Sequence, residues 1–353
     1  MGAGFRGVTS RRAKTVGGDC RERVGIVCHP GVGVAPRSMV CLGDMTADDK
    51  VIGALLGLAL GDALGATTEF MARSEVRRRW PEGHREIVGG GVFGWAAGAV
   101  TDDTDMALCL VRGIRRAGVG AEVGVLVRAV GEEFMRWRAR NPPDIGNTVR
   151  LALRLFEEAG DWERVADGVR ERLGERAGGN GALMRTLPVS LFWPADERRI
   201  VDVGLAVSRM THPHPEADFC SVAYNLLVAH LVRGGEKESS VAKALARAAT
   251  VAPTPSRFEG FLDRVFRIDA NAISSSGYCV DTLEAALYCF LHERDAEGCI
   301  VRAANLGDDA DTVAAVAGGL AGAFHGRSGL PSRWLERLDA RVHAEILEAF
   351  ARA

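Results

Sequence analysis

No two cysteines of this chain form a C-x-x-C pair, and no apolar run reaches the roughly 20 residues that a membrane-spanning helix requires. The glycine-rich apolar stretches 51–66 and 313–324 are shorter, and Asp62 interrupts the first. Cys20, Cys28, Cys41, Cys109, Cys220, Cys279, Cys289 and Cys299 are too sparse for a disulfide-stapled secreted scaffold. The ten-residue spacing of the last three is not a zinc-ligand spacing. Buried, reduced thiols in a cytoplasmic protein are expected. Charge of neither sign prevails: 44 lysines and arginines stand against 46 aspartates and glutamates. No overall field therefore draws the chain to nucleic acid or an anionic membrane, and any ligand is held by a local site.

Alternating β-branched and polar residues, the mark of a half-buried strand, are almost missing. Apolar residues recur instead at three and four, as in Met106, Cys109, Leu110 and Ile114, or Leu283, Ala286, Leu287 and Phe290. The 353 residues, 47% of them hydrophobic, suffice for one large core. An all-α fold is expected over residues 46–353, without the fixed period of a solenoid. Residues 1–45 show neither period: glycine, arginine and valine alternate, and Pro30 and Pro36 punctuate the end. We expect a disordered extension there. Met39 and Met45 are alternative starts, which would make part of it a gene-calling artefact.

Acidic or glycine-rich turns fall at 101–105, 144–148, 178–181, 274–281 and 307–312. Two of them carry nearly the same message. Thr101, Asp102, Asp103 and Thr104 precede one apolar helix, and Asp308, Asp309, Ala310, Asp311 and Thr312 precede another. Helix capping competes as an explanation, because one Asp or Thr satisfies the free N–H groups of a first turn and the helix dipole favours negative charge there. One acidic residue suffices for that, and packed carboxylates repel one another unless a cation or protons intervene. Oxygen donors without histidine or thiol select Mg²⁺, Mn²⁺ or Ca²⁺ over Zn²⁺, with magnesium or manganese the expectation. Five or more carboxylates exceed the needs of one hydrated octahedral ion, so two metals are the more economical reading.

At these residues the sequence resembles the ADP-ribosylglycohydrolase family, and within it the branch containing dinitrogenase reductase-activating glycohydrolase. The resemblance runs in order over about residues 48–326, through GALLGLALGDALGATTEF, TDDTDM, PPDIGNTVR, GGNGALMRTLP, THPHPE, SGYCVDTLEAALYCF and NLGDDADTVAAVAGGLAGAFHG. GDALG or GNG alone would be weak; the ordered set is specific, and PPDIGN points most firmly to that branch.

The resemblance implies a compact all-α fold with a two-cation centre at the base of a cleft that holds ADP-ribose. The metal ligands it implies are Thr101, Asp102, Asp103, Asp309, Asp311 and Thr312, with Glu69 as an additional acid at the centre. Asp62 is read as structural, buried and bonded to turn amides. Asp144 matches an acidic residue beside the scissile ribose, and Gly146 and Asn147 match ligand contacts. Asn180 and Gly181 would lie against the diphosphate or its ribose, where bare backbone N–H groups approach oxyanions. His212 is either a substrate contact or a hydrogen-bonded structural side chain. Tyr278 matches a mobile aromatic at the adenine or ribose end. The family often has glycine where Asp308 stands; that extra carboxylate is read as lying behind the ligands.

The activity implied is hydrolysis of ADP-ribosyl-arginine on a protein, by a monomer that binds ADP-ribose. Either Asp144 or Glu69 would handle the proton. Other ADP-ribose linkages (O-acetyl, serine or nucleobase) differ only in a leaving group that the metal motifs do not read. A non-catalytic ADP-ribose binder on the same fold, as among lens crystallins, would have lost metal ligands, which here are all present.

Overall fold

A computed structural model describes residues 47–350; the extension expected over 1–45, with Cys20, Cys28 and Cys41, lies outside them. The helices follow in the order α1 (Ala47–Gly65), α2 (Arg73–Arg79), α3 (Asp102–Ala117), α4 (Val123–Arg138), α5 (Asn147–Ala159), α6 (Trp162–Leu173), α7 (Pro188–Phe192) and α8 (Glu197–Arg209). They continue with α9 (Pro215–Val232), α10 (Lys237–Ala248), α11 (Phe261–Arg264), α12 (Cys279–His292), α13 (Ala296–Ala304), α14 (Ala310–His325), α15 (Ser332–Leu335) and α16 (Ala340–Ala349). Among the described residues extended pairing is limited to two isolated bridges, Gly90 with Trp95 and Gly179 with Tyr278. The all-α expectation holds.

Four helices, α1, α9, α12 and α14, are buried on nearly all sides, as helices without a polar face must be. Amphipathic helices such as α3, α4, α8 and α10 cover them. Helices α5 and α6 close a satellite cluster around Leu155, Val165 and Val169, with Phe156 stacked on Trp162 at 4.2 Å.

The innermost pair, α1 and α14, runs antiparallel with almost no side chain between the two backbones. A Cβ added at Gly57 would stand 2.1 Å from the Gly318 carbonyl oxygen, at Gly61 1.9 Å from that of Ala314, and at Gly322 1.9 Å from that of Gly53. Small residues every fourth position thus form a stripe along which the two backbones touch. At its lower end a Cβ at Gly65 would meet the Asp311 Cα at 2.4 Å. The end of α1 is thereby set against the acidic start of α14. From the same end of α1, the buried Asp62 carboxylate accepts the Thr101 amide at 3.0 Å, the Thr104 amide at 3.1 Å and the Thr104 hydroxyl at 2.5 Å. Asp62 so caps α3 from another helix, the structural role the sequence reading gave it.

Gly57→Ala and Gly61→Ala are expected to destabilise the protein by about 1–3 kcal/mol, because overpacking outweighs the gain of up to about 1 kcal/mol in helix propensity. Gly124→Ala, at an exposed position of α4 with nothing within 4 Å of the added methyl, is expected to leave stability unchanged or raise it by up to about 1 kcal/mol. Urea unfolding of the three variants separates crowding from propensity.

Candidate metal centre and cleft

Local capping accounts for little of the acidity at either turn. Helix α3 is capped by the Thr101 hydroxyl, which accepts the Asp103 amide at 3.4 Å, and by Asp62. At α14 the cap residue Asp309 makes no side-chain capping bond. Asp103 and Asp311 turn instead toward the opposite segment. The Thr101 hydroxyl lies 3.1 Å from Asp103 Oδ2 and 3.4 Å from Asp311 Oδ2, and the Thr312 hydroxyl donates to Asp103 Oδ2 at 3.3 Å. Two turns some 210 residues apart therefore share one buried spot.

Around it the charges are of one sign. Asp102, Asp103 and Asp311 are pushed well above the usual carboxylate range, by burial first and then by neighbouring carboxylates. Burial raises Asp309 and Asp144 as well, and lifts Glu69 to about 9 with help from Asp144 and Asp309. Asp62 rises only to about 7, because its bonds from Thr104 and Thr101 offset part of the burial. Glu69 Oε2, Asp103 Oδ1 and Asp311 Oδ1 are buried without a hydrogen-bond partner. Oxygen atoms of Glu69, Asp144 and Asp311 lie within 4.8 Å of one another, close enough to share an ion. Partnerless buried carboxylate oxygens are costly unless a cation meets them, and a set of hard oxygen donors suits a divalent one. The residues present fit a metal centre.

Above these groups opens a cleft of about 310 Å³, lined by Glu69, Asp102, Asp144, Gly146, Asn147, Asn180, Gly181, His212, Asp309, Asp311 and Thr312. Thr101 and Asp103 lie beneath it, 1% and 0% exposed. The loop before α5 closes one wall, its Gly146 amide donating to Asp102 Oδ2 at 3.4 Å. Asn180 binds Asp309 Oδ2 at 2.7 Å and the Thr282 hydroxyl at 2.9 Å, joining the glycine turn to the acidic turn. Its own amide group is thus already engaged.

Tyr278 is set apart from the cleft lining. It pairs through its backbone with Gly179, and its hydroxyl is bonded to Glu216 on α9. Asp308 has φ +52°, a left-handed conformation that favours glycine, and its side chain points to solvent rather than joining the cluster.

Three contributions were not assigned from sequence. Asp144, read from sequence as a catalytic acid beside the ribose, also lies with Glu69 and Asp311 at the prospective ion site. Phe70, next to Glu69, lines the cleft. Arg185 is wholly buried, lies 4.9 Å over the Phe134 ring, and donates to the Gly181 and Val207 carbonyls and the Thr211 hydroxyl at 2.6, 3.1 and 2.6 Å. Burial lowers it to about 9, which leaves it a cation at neutral pH. An arginine inside the apolar run ALMRTL was the available signal. Through Thr211, which stands 2.8 Å from His212 Nδ1, Arg185 orients an imidazole that burial keeps neutral. This arrangement favours a hydrogen on Nε2, the nitrogen nearer Gly179 and Gly181. His212 is hydrogen-bonded and also lines the cleft.

A model of the ADP-ribosylglycohydrolase family matches residues 44–353. The chain belongs to that family. It is 36% identical over 298 residues to the ADP-ribosyl-[dinitrogen reductase] glycohydrolase of Rhodospirillum rubrum, covering 84% of this chain and 93% of that one. To the ADP-ribosylarginine hydrolase Tri1 of Pseudomonas putida it is 37% identical over 315 residues, covering 86% and 79%. A solved structure described as an ADP-ribosylglycohydrolase-related protein complex superposes with a TM-score of 0.67 at 31% identity, over 86% of this chain and 98% of that one. Among the described residues no helix is long and apolar enough to cross a membrane.

With cations stripped by chelator, the acidic floor makes stability depend on pH in a defined direction. Folded-state values of about 7 for Asp62 and about 9 for Glu69, above ordinary values of 3.8 and 4.5, mean that the native state binds more protons than the unfolded one between them. Stability is therefore fullest below about pH 4 as far as these groups decide it, and is lost as pH rises toward 9. The melting temperature of the chelated protein is expected to fall from pH 6 to pH 8, and added Mn²⁺ to flatten that slope. A rising melting temperature over this range would contradict the assignment.

Proposed function

We propose that this chain hydrolyses the N-glycosidic bond between ADP-ribose and an arginine side chain of a modified protein. The observation that carries the reading is the meeting of the two acidic turns under a cleft that also holds Glu69 and Asp144. The arginine linkage is supported by the names of the two relatives, each about a third identical over most of the chain. Two divalent cations, Mg²⁺ or Mn²⁺, would be held by Thr101, Asp102, Asp103, Asp309, Asp311 and Thr312 with Glu69. Such ions supply positive charge that fixes ribose hydroxyls and lowers the pKa of water.

The chain's own groups do the rest. Cleavage develops positive charge at the anomeric carbon as a poor leaving group departs, so the guanidine nitrogen must gain a proton. Asp144 or Glu69, whose proton affinity burial and neighbouring carboxylates raise, is the group to give it. Gly146 and Asn147 border the ribose, and the Gly181 backbone with the His212 ring faces the diphosphate, while Asn180, whose backbone N–H donates to the Gly277 carbonyl at 3.0 Å and whose side chain is bonded to Asp309 and Thr282, shapes that wall. Buried free thiols at Cys109, Cys220, Cys279, Cys289 and Cys299 support a cytoplasmic setting, in which we take the protein to act as a monomer.

Asp102→Ala and Asp309→Ala are expected to lower kcat/KM on an ADP-ribosyl-arginine protein on the order of 10²-fold or more, the scale for losing one preorganised electrostatic group. In chelator the melting temperature of Asp102→Ala should be kept or raised, since that variant deletes a buried like charge, whereas Asp309→Ala also loses the bond to Asn180. Chelator should abolish turnover, and Mg²⁺ or Mn²⁺ should restore it. Full activity in either variant, or turnover in chelator, would refute the reading.

A further inference from the structure

Phe70 follows Glu69 directly, lines the cleft, and is nevertheless 63% exposed. Its backbone has φ +58°, a conformation that is strained for a bulky side chain. Backbone bonds hold it there: the Phe70 amide donates to the Asp308 carbonyl at 2.6 Å, and the Asp308 amide to the Met71 carbonyl at 2.8 Å. The ring is not alone. Phe93 packs edge-on to it at 6.3 Å between centroids, and Trp95 lies 5.8 Å beyond Phe93. These come from the glycine-rich loop 88–95, which is tied to the end of α1 by the Thr67 hydroxyl on the Gly89 carbonyl at 3.1 Å. Val88 and Val92 are exposed on the same loop, so this lip concentrates the exposed apolar surface of the described residues.

We infer that the Phe70–Phe93 lip receives the guanidinium of the modified arginine and sets the preference for that leaving group. This rests on the arginine-linkage reading above. The cleft, about 310 Å³, is too small to admit a protein, so only the modified side chain enters it, and Phe70 is the exposed aromatic side chain of its lining, next to Glu69. A guanidinium is a planar cation that stacks on aromatic faces, and the lining beside Phe70 carries carboxylates but no lysine or arginine. An exposed aromatic held by its backbone at the edge of the cleft beside Glu69 is suited to that contact. A serine or acetyl linkage offers the ring no such cation.

The test compares wild type with Phe70→Ala, Phe70→Gly and Phe70→Trp, each loaded with Mn²⁺. Two quantities are read: kcat/KM on an ADP-ribosyl-arginine protein and the Kd for free ADP-ribose. Phe70→Gly suits the left-handed backbone and guards against a folding artefact. The Ala and Gly variants are expected to lose about tenfold in kcat/KM, equivalent to about 1.4 kcal/mol, with the Kd for ADP-ribose unchanged within about twofold. Phe70→Trp should retain the rate. Equal loss in both quantities would show that the ring contacts ADP-ribose itself and would overturn the inference, as would an unchanged rate in Phe70→Gly. Either result leaves arginine hydrolysis by the wild type standing, whereas a wild type inert on the arginine linkage removes the function and the inference together.

Discussion

Backbone-to-backbone contact between α1 and α14 is the constraint from which the rest of the molecule follows. Glycines at 53, 57, 61 and 65 on one helix meet Gly322, Gly318, Ala314 and Asp311 on the other, with no room for a Cβ at the glycine positions. Close approach of two helices fixes their relative translation as well as their distance, since each bare site accepts one partner. The end of α1 is thereby locked beside the start of α14, and Asp62 brings α3 to the same point through the amides of Thr101 and Thr104. Position and burial of the acidic floor are consequences of that lock.

Such a floor is unfavourable in isolation. Burying carboxylates beside one another raises their proton affinity and leaves oxygen atoms without partners, and each costs stability until a cation or a proton arrives. The apolar packing of α1, α9, α12 and α14 holds these groups together regardless. This fits the general pattern in which local rules are broken at functional sites and the surrounding structure compensates. Family membership and the unpartnered oxygens point to the same kind of centre by independent routes.

Much of this was legible in the sequence. The three-and-four period of apolar residues gave the helices, because burial of one face leaves that trace whatever the partner is. Crowded acids at 101–105 and 307–312 exceeded what capping requires, and the structure agrees that Asp103 and Asp311 cap nothing. Less was legible where a side chain's role depends on a distant neighbour. Asp144 sits in a loop with no period, so its approach to Glu69 and Asp311 left no local mark. Tyr278 is drawn to Glu216, a residue of another helix, and Arg185 looks out of place in its apolar run until the carbonyls it satisfies are seen. The exposure of Phe70 follows from a left-handed backbone that its residue type disfavours, so propensity argued against it.

What the sequence determined alone was the inventory: helical period, small residues every fourth position, oxygen donors in place of thiols, and the ordered motifs of a family. Residue type and spacing record these directly, because they act over a turn or two of chain. Convergence was left to the tertiary structure, which set Thr101 beside Asp311 and a strained aromatic at the mouth above them. Only the packing of helices far apart in the chain can bring such groups within a few ångströms, and no local pattern encodes the translation at which two backbones come to rest.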